Sequence, residues 1–320
     1  MRRWIALIVV LAAGIAVGFV FFPDSDDDSP TCWGLVERDE VRQMAPGAPD
    51  RLAEIGMPGL TGRMDCVSRS KKGEFRVSVS QTLKMPDRMT VQDEVTYAYA
   101  PLGPGLFGFA SDTYAWMKVR SCRWGGLDGY VDVAATSRGT GDESRKDRPA
   151  RDDNRERLGR FAVEFANRLL AMEGCGQLPM PQIAPVQKAL VSEQDGLCGL
   201  AGVPLPKETA GLTAVVAREG DDWLDCVVYG RDGGDAVLRI TAARGAYADM
   251  RGQVWPAAPM NTEFSGRELI THAKADCQGR PAVYMLAQSK SEPVVDREAA
   301  FRALVRTLAA QGNCTIPALV

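Results

Sequence analysis

One histidine in 320 residues restricts the chemistry of this chain from the outset. Transition-metal sites that draw on several imidazoles are excluded by that count. A serine nucleophile with a histidine base would have to use His272, and no G-x-S-x-G elbow supplies the serine. There is no Walker glycine loop and no dinucleotide fingerprint after a strand. Close cysteine pairs are missing too, so neither the C-x2–4-C ligand spacing of structural zinc nor the C-x-x-C of a thiol–disulfide oxidoreductase is present. No metal and no cofactor is expected. An excess of basic charge is also lacking: 38 Lys and Arg stand against 41 Asp and Glu, which gives no charge argument for nucleic acid or anionic lipid as a partner.

Long apolar runs are scarce, with one exception. Residues Trp4–Phe22 carry no charge and no strongly polar side chain, and at about 1.5 Å per residue they reach roughly 28 Å, close to the thickness of a bilayer core. Arg2 and Arg3 precede the run and Asp24–Asp28 follow it, so the charge rule puts the N-terminus in the cytoplasm and the rest outside. A cleaved signal peptide would want small residues at its cleavage site, whereas Phe19–Pro23 is bulky. A lipoprotein would want a cysteine directly after a small-residue box, and Cys32 comes too late. An uncleaved single-pass anchor in the cell membrane is the expectation.

Eight cysteines are what the chain does have, in two sets with matching surroundings. The sets are Cys32, Cys66, Cys122 and Cys175, then Cys198, Cys226, Cys277 and Cys314. Cys66 and Cys226 each stand in an Asp-Cys-Val triplet, and Phe109 and Phe264 each precede the third cysteine of their set by thirteen residues. This reads as a duplicated, disulfide-stapled module in an oxidising compartment. Four cysteines allow three pairings. Of these, first with second and third with fourth is favoured, since it ties the N-terminal segment to the first strand and a later strand to the end of the closing helix.

The expected fold is α+β: an N-terminal transmembrane helix followed by two similar modules, each an antiparallel sheet of about four strands with a C-terminal helix. The divisions are a cytoplasmic tip 1–3, an anchor 4–22, an acidic linker 23–31, module one 32–176, a proline-containing linker 177–196 and module two 197–320. Alternation predicts strands at Met64–Ser68, Phe75–Thr82, Tyr114–Ser121 and Gly129–Ala135, then at Trp223–Tyr229, Ala236–Ala242, Glu268–Asp276 and Ala282–Ala287. Leu158, Phe161, Phe165, Leu169 and Met172 form one helical stripe. Phe301, Leu304, Val305 and Leu308 form the other, after an Asp296 cap, with Gly174 and Gly312 as stops. Asp39 can cap a short helix over Glu40–Ala45, whereas Pro204 and Pro206 forbid its counterpart. Residues 138–157 read as a solvated, mobile loop.

His272 falls with Lys274 and Asp276 on the polar face of its strand, and Met117 holds the same offset from Cys122, so a surface or structural role is expected for it. A long stretch rich in proline, glycine and aromatics precedes the third cysteine in each module, through Pro101–Phe109 and Trp255–Phe264. With Trp116, Trp124, Trp255, Phe109 and Phe264 as anchors, and Tyr114 nearby, it could line a binding groove. The favoured alternative has these aromatics plugging the open end of each sheet. Glycoside hydrolysis needs only two carboxylates about 5–9 Å apart, and the acidic residues leave that open.

The Arg-start apolar segment, Cys32-Trp33-Gly34-Leu35-Val36, the Ala115-Trp116-Met117-Lys118-Val119 strand leading to Cys122 and the Ala/Arg-rich closing helices give the chain a resemblance. It resembles membrane-anchored or secreted proteins of streptomycetes and related actinobacteria with cysteine-paired repeats. The resemblance implies an envelope protein and brings no activity with it. The expected function is a non-enzymatic binding or interaction protein of the envelope, held to the membrane by its N-terminal helix and meeting another envelope protein or a cell-wall component. The alternative is a carboxylate-dependent hydrolase of wall glycan.

Overall fold

The computed structural model describes residues 31–44, 51–56, 64–71, 73–81, 98–122, 128–137, 152–191, 196–206, 212–230, 236–249, 263–265, 268–289 and 295–315. Two seven-stranded antiparallel sheets dominate it. In chain order the elements are α1 (Arg38–Met44), β1 (Arg51–Gly56), β2 (Met64–Arg69), β3 (Gly73–Ser80), β4 (Ala100–Pro101), β5 (Phe107–Ala110), β6 (Tyr114–Arg120), β7 (Asp128–Ser137) and α2 (Asp152–Glu173). Then come β8 (Gln187–Leu190), β9 (Thr213–Glu219), β10 (Trp223–Tyr229), β11 (Ala236–Arg244), β12 (Glu263–Ser265), β13 (Glu268–Cys277), β14 (Arg280–Ser289) and α3 (Arg297–Gln311). A helical turn begins at residues 246–249.

The expectation of an α+β fold led by a transmembrane helix is therefore corrected to a mostly antiparallel β architecture. Residues 4–22 lie outside the described residues, and among those described no helix is long and apolar enough to cross a membrane. Among the described residues each sheet also has seven strands where about four were expected. The extra ones are short or lack alternation: β4 and β5 run through the proline- and glycine-rich stretch, and β8 comes from the linker. Residues 152–157, expected in a loop, form the first turns of α2.

The duplication is visible in strand order. The first sheet runs β1-β2-β3-β7-β6-β5-β4, and the second, read in the same sense, runs β8-β9-β10-β11-β14-β13-β12. The run β1-β2-β3-β7-β6-β5 thus repeats as β9-β10-β11-β14-β13-β12, with β4 and β8 added at opposite edges. The bridges repeat as well: Cys32–Cys66 and Cys122–Cys175, then Cys198–Cys226 and Cys277–Cys314. They enclose loops whose closure is worth roughly 4 kcal/mol each in the chain-entropy picture. Cys32 and Cys198 both sit at positive φ in a tight turn, closed by the bridges Thr31↔Val36 and Leu197↔Leu200. At the helix ends the left-handed position just before the last cysteine is Gly174 in one copy and Asn313 in the other, rather than Gly312. Asparagine is the residue that tolerates this conformation next best to glycine.

Each helix buries its apolar stripe on one face of its sheet. Leu158, Phe161, Phe165 and Leu169 pack with Met117, Val119, Val131 and Val133, while Phe301, Leu304, Val305 and Leu308 pack with Leu224, Ile240, Tyr284 and Leu286. Each such side chain contributes roughly 1.5–3 kcal/mol. Met172, expected in the stripe, lies beyond this contact and is exposed. The opposite faces of the two sheets meet, so across the molecule the layers run helix, sheet, sheet, helix.

The glycine-rich stretch has a steric reason. Gly108 pairs with Met117 in the β5–β6 ladder, and a Cβ there would lie 2.3 Å from the Trp116 carbonyl oxygen and 2.7 Å from the Met117 Cβ. Gly108→Ala is expected to destabilise the protein by about 1–3 kcal/mol, read as a lower urea midpoint at unchanged slope.

Candidate functional site

The aromatics nominated as groove anchors are not gathered at an open groove. Phe109 and Trp116 are buried in the contact between the sheets, where the Phe109 ring meets Trp223 in a tilted contact at 4.1 Å between ring centroids and Tyr247 at 5.4 Å. Tyr114 joins the same cluster. Trp124 and Trp255 lie outside the described residues, and Phe264 is placed on β12. The rings of module one thus serve as the surface on which module two docks.

Polar side chains on the same faces were not singled out by the sequence reading, and they repeat in both modules. Asp65 stands opposite Ser78 and Val67 opposite Arg76 across β2 and β3. Asp225 stands opposite Thr241 and Val227 opposite Arg239 across β10 and β11. Because side chains alternate along a strand, each set of aspartate, arginine and hydroxyl emerges on the face away from the helix. The signal lay in Phe75-Arg76-Val77-Ser78 and Leu238-Arg239-Ile240-Thr241, the same pattern of apolar, arginine, apolar, hydroxyl. A search by spacing misses it, since the second hairpin is longer by three residues.

In module two the cluster is sealed. Arg239 donates through Nε to Asp225 Oδ1 at 2.8 Å and through Nη2 to Oδ2 at 2.7 Å, and both side chains are fully buried. Thr241 Oγ1 donates to Oδ1 at 2.8 Å. The fourth donor comes from module one: the Tyr99 backbone N–H reaches Asp225 Oδ2 at 2.7 Å. The Arg239 guanidinium carbon lies 4.8 Å from the centre of the Tyr99 ring, and the Trp223 indole N–H donates to the Tyr99 carbonyl at 2.9 Å. Ala98 and Ala100 flank Tyr99 and pack with Val215, Ala217 and Val227. An extended segment of module one is therefore captured on β9 and β10 by backbone hydrogen bonds, an aromatic–guanidinium contact and small apolar neighbours.

In module one the aspartate of the same cluster is also buried, and the arginine is partly exposed. Arg76 donates through Nη2 to Asp65 Oδ1 at 2.6 Å and through Nε to Ser78 Oγ at 3.1 Å, and its side chain keeps 38% of its exposure. One strand further, Asp132 continues the row, standing opposite Ser78 on β7. Burial pushes its carboxyl up to about 6, with Asp65 adding to the rise; the hydrogen bond donated by Tyr114 and the charge of Arg76 oppose it. The Tyr114 hydroxyl is itself held well above the ordinary phenol range by burial. Asp132 has no acidic counterpart, because Met285 takes its place opposite Thr241.

No protein-family model, curated protein or solved structure matches this chain. The site is read from its own chemistry.

The row also relocates the histidine. His272 stands opposite Met285 as Trp116 stands opposite Asp132, so its counterpart is Trp116 and not Met117. Counting back from the cysteines misleads by one residue because Cys122 lies beyond the end of β6 while Cys277 is inside β13. One residue is a change of face in a strand: Met117 is in the helix-side core, whereas His272 is on the opposite face. It is buried there rather than at the surface.

The buried pair is expected to respond as a unit. Arg239→Met, which strands the Asp225 carboxylate, is expected to cost roughly 3–5 kcal/mol, whereas Asp225→Leu combined with Arg239→Met costs much less; chemical denaturation of the three proteins checks this. Asp132 makes a pH prediction. Its folded value lies above the unfolded one near 3.8, so the folded state holds the proton more tightly, and stability is lost as pH rises from about 4 through about 6. The loss is of order 3 kcal/mol. Asp132→Asn is expected to flatten this decline in thermal midpoints taken between pH 4 and pH 7.

Proposed function

We propose that this chain is a non-enzymatic binding protein of an oxidising, extracytoplasmic compartment, and that it meets its partner with the face of β1–β3 around Asp65, Arg76 and Ser78. Four disulfides hint at that compartment, where paired cysteines persist. One observation carries the reading: of two equivalent clusters, one is fully buried as the seat for another part of the chain, while the other retains an accessible guanidinium. The partner would belong to the envelope, as a protein or a wall component.

A second reading is favoured by a specific feature. Asp65 and Asp132 stand two strands apart in one row of the first sheet, which sets their backbones about 10 Å apart and lets the carboxyl groups approach within the range used in glycoside hydrolysis. Asp132, with its proton held to about 6, has the character of a general acid, and only module one has the pair. Release of reducing ends from soluble wall glycan, abolished by Asp132→Asn, would establish that activity; no release by the native protein rejects it.

Binding is tested by titrating the labelled full chain against isolated cell-wall glycan and against envelope protein fractions. Saturable binding is expected, weakened roughly tenfold by Arg76→Ala and unchanged by Lys274→Ala, an exposed charge on the second sheet. Absence of saturable binding, or indifference to Arg76→Ala, overturns the proposal.

A further inference from the structure

The repeat sorts the four disulfides by access. Cys32, Cys66, Cys198 and Cys226 are buried, so a dissolved thiol meets no sulfur in the first bridge of either module. The second bridge of each module reaches the surface. Cys122 is exposed and Cys175 partly so; Cys314 is partly exposed, and Cys277, bonded to it, is buried.

These two accessible bridges hold the same place in the repeat in opposite electrostatic surroundings. Beside Cys175 lies the Glu173 carboxylate, with Oε2 3.9 Å from Sγ and fixed there by the Ser121 hydroxyl at 2.6 Å. One neutral donor, the Cys122 backbone N–H, also reaches Cys175 Sγ, at 3.2 Å. A negative charge at that range disfavours a thiolate. Beside Cys277–Cys314 stands instead the Tyr284 hydroxyl, which donates to Cys314 Sγ at 3.2 Å and lies 3.8 Å from Cys277 Sγ. Tyr284 pairs with Ala242 as Val131 pairs with Val79, so module one has an apolar side chain where module two places this hydroxyl. Arg244 is buried under the last turn of α3, where its Nη2 donates to the Leu308 carbonyl at 2.7 Å. Gly312 leaves room for it, since a Cβ there would come within 2.6 Å of the Arg244 Cζ. Burial pushes the Tyr284 hydroxyl above the ordinary phenol range, and the charge and hydrogen bonding of Arg244 oppose that rise. The hydroxyl is thereby a better donor than a phenol buried alone.

From this contrast we infer that Cys277–Cys314 is a thiol-exchange site for small thiols, with Tyr284 steadying the departing thiolate, while the other three bridges are structural. The incoming thiol first gives its proton to water. Its thiolate bonds to the partly exposed Cys314 sulfur, the Cys277–Cys314 bond breaks, and the electron pair leaves with Cys277. Tyr284, within reach of both sulfurs, donates to the new thiolate. A second thiol displaces Cys314 and carries the first away as a disulfide, so two thiols are oxidised for one bridge reduced. A bridge whose thiolate is held by donors is reduced more readily than one whose thiolate faces a carboxylate. The end of α3 stays tied to β13 meanwhile, by hydrogen bonds from Thr315 to the Asp276 carbonyl.

The test equilibrates the full chain in glutathione buffers of rising reduced-to-oxidised ratio at neutral pH, alkylates the free thiols and maps them by peptide mass spectrometry. Cys277 and Cys314 are expected to open at a ratio roughly tenfold lower than Cys122 and Cys175, with the four buried cysteines still joined and the glutathionyl intermediate on Cys314. Tyr284→Phe, which removes one oxygen and keeps the ring, is expected to raise the Cys277–Cys314 ratio roughly tenfold and to leave that of Cys122–Cys175 unchanged; a general loosening of the fold would lower both. Glu173→Gln is expected to lower the ratio of Cys122–Cys175 alone. Opening of Cys122–Cys175 first, an adduct on Cys277, indifference of either bridge to its variant, or resistance of Cys277–Cys314 up to the ratio that opens the buried bridges overturns the inference.

Discussion

A carboxylate and a guanidinium buried together must each find enough hydrogen-bonding partners, because neither can be rehydrated. Asp225 and Arg239 are in that position at the centre of the molecule. Within module two Asp225 receives Arg239 and Thr241, and its remaining site is filled from outside by the Tyr99 N–H. Docking of the modules therefore completes the hydrogen bonding of the Asp225 carboxylate, and the ion pair orients the docking. Once Tyr99 is seated, its carbonyl meets the Trp223 indole, and Trp223 packs against Phe109 in a tilted ring contact. The apolar contact supplies area, while the polar cluster supplies register.

The same cluster in module one is built on the same two strand pairings but in different company. Its row ends in Asp132 and Trp116, where the second sheet has Met285 and His272. The divergence is lopsided in a physically sensible way. Around Asp225 the positions facing the other module are small or apolar, consistent with a permanent contact. Around Asp65 an additional titratable group was kept and a branched apolar side chain was left at the surface. The two clusters thus share their strand pairings and differ in the exposure of the arginine, fully buried in Arg239 and 38% exposed in Arg76.

Several of these features were legible in the linear chain and others were hidden for identifiable reasons. Strands β2, β10, β11 and β13 and the Asp296 cap follow from strand and capping signals, and the repeat narrows each set of four cysteines to three pairings, of which the favoured one is present. β4, β5, β8 and β12 did not stand out because strands of two to four residues carry little period-two signal, and β1 and β9 because their apolar residues do not alternate. The Asp-Cys-Val triplets mark the repeat, but nothing local marks their aspartates as half of an ion pair. The arginine that completes each pair comes from the next strand, at a distance that the hairpin length changes.

The chain by itself determined the repeated cysteine spacing, the three pairings open to each set of four, the two closing helices and most central strands, because spacing and periodicity are local quantities that survive in one dimension. Only the tertiary structure decided that the aromatics form an interface, that His272 holds the place that Trp116 holds in the other sheet, and that the arginine is buried in one of two equivalent clusters and partly exposed in the other. Burial is a property of what covers a residue. What covers each of these comes from a segment far away in sequence: Tyr99 and Asp225 meet across 126 positions, and no local pattern records that encounter.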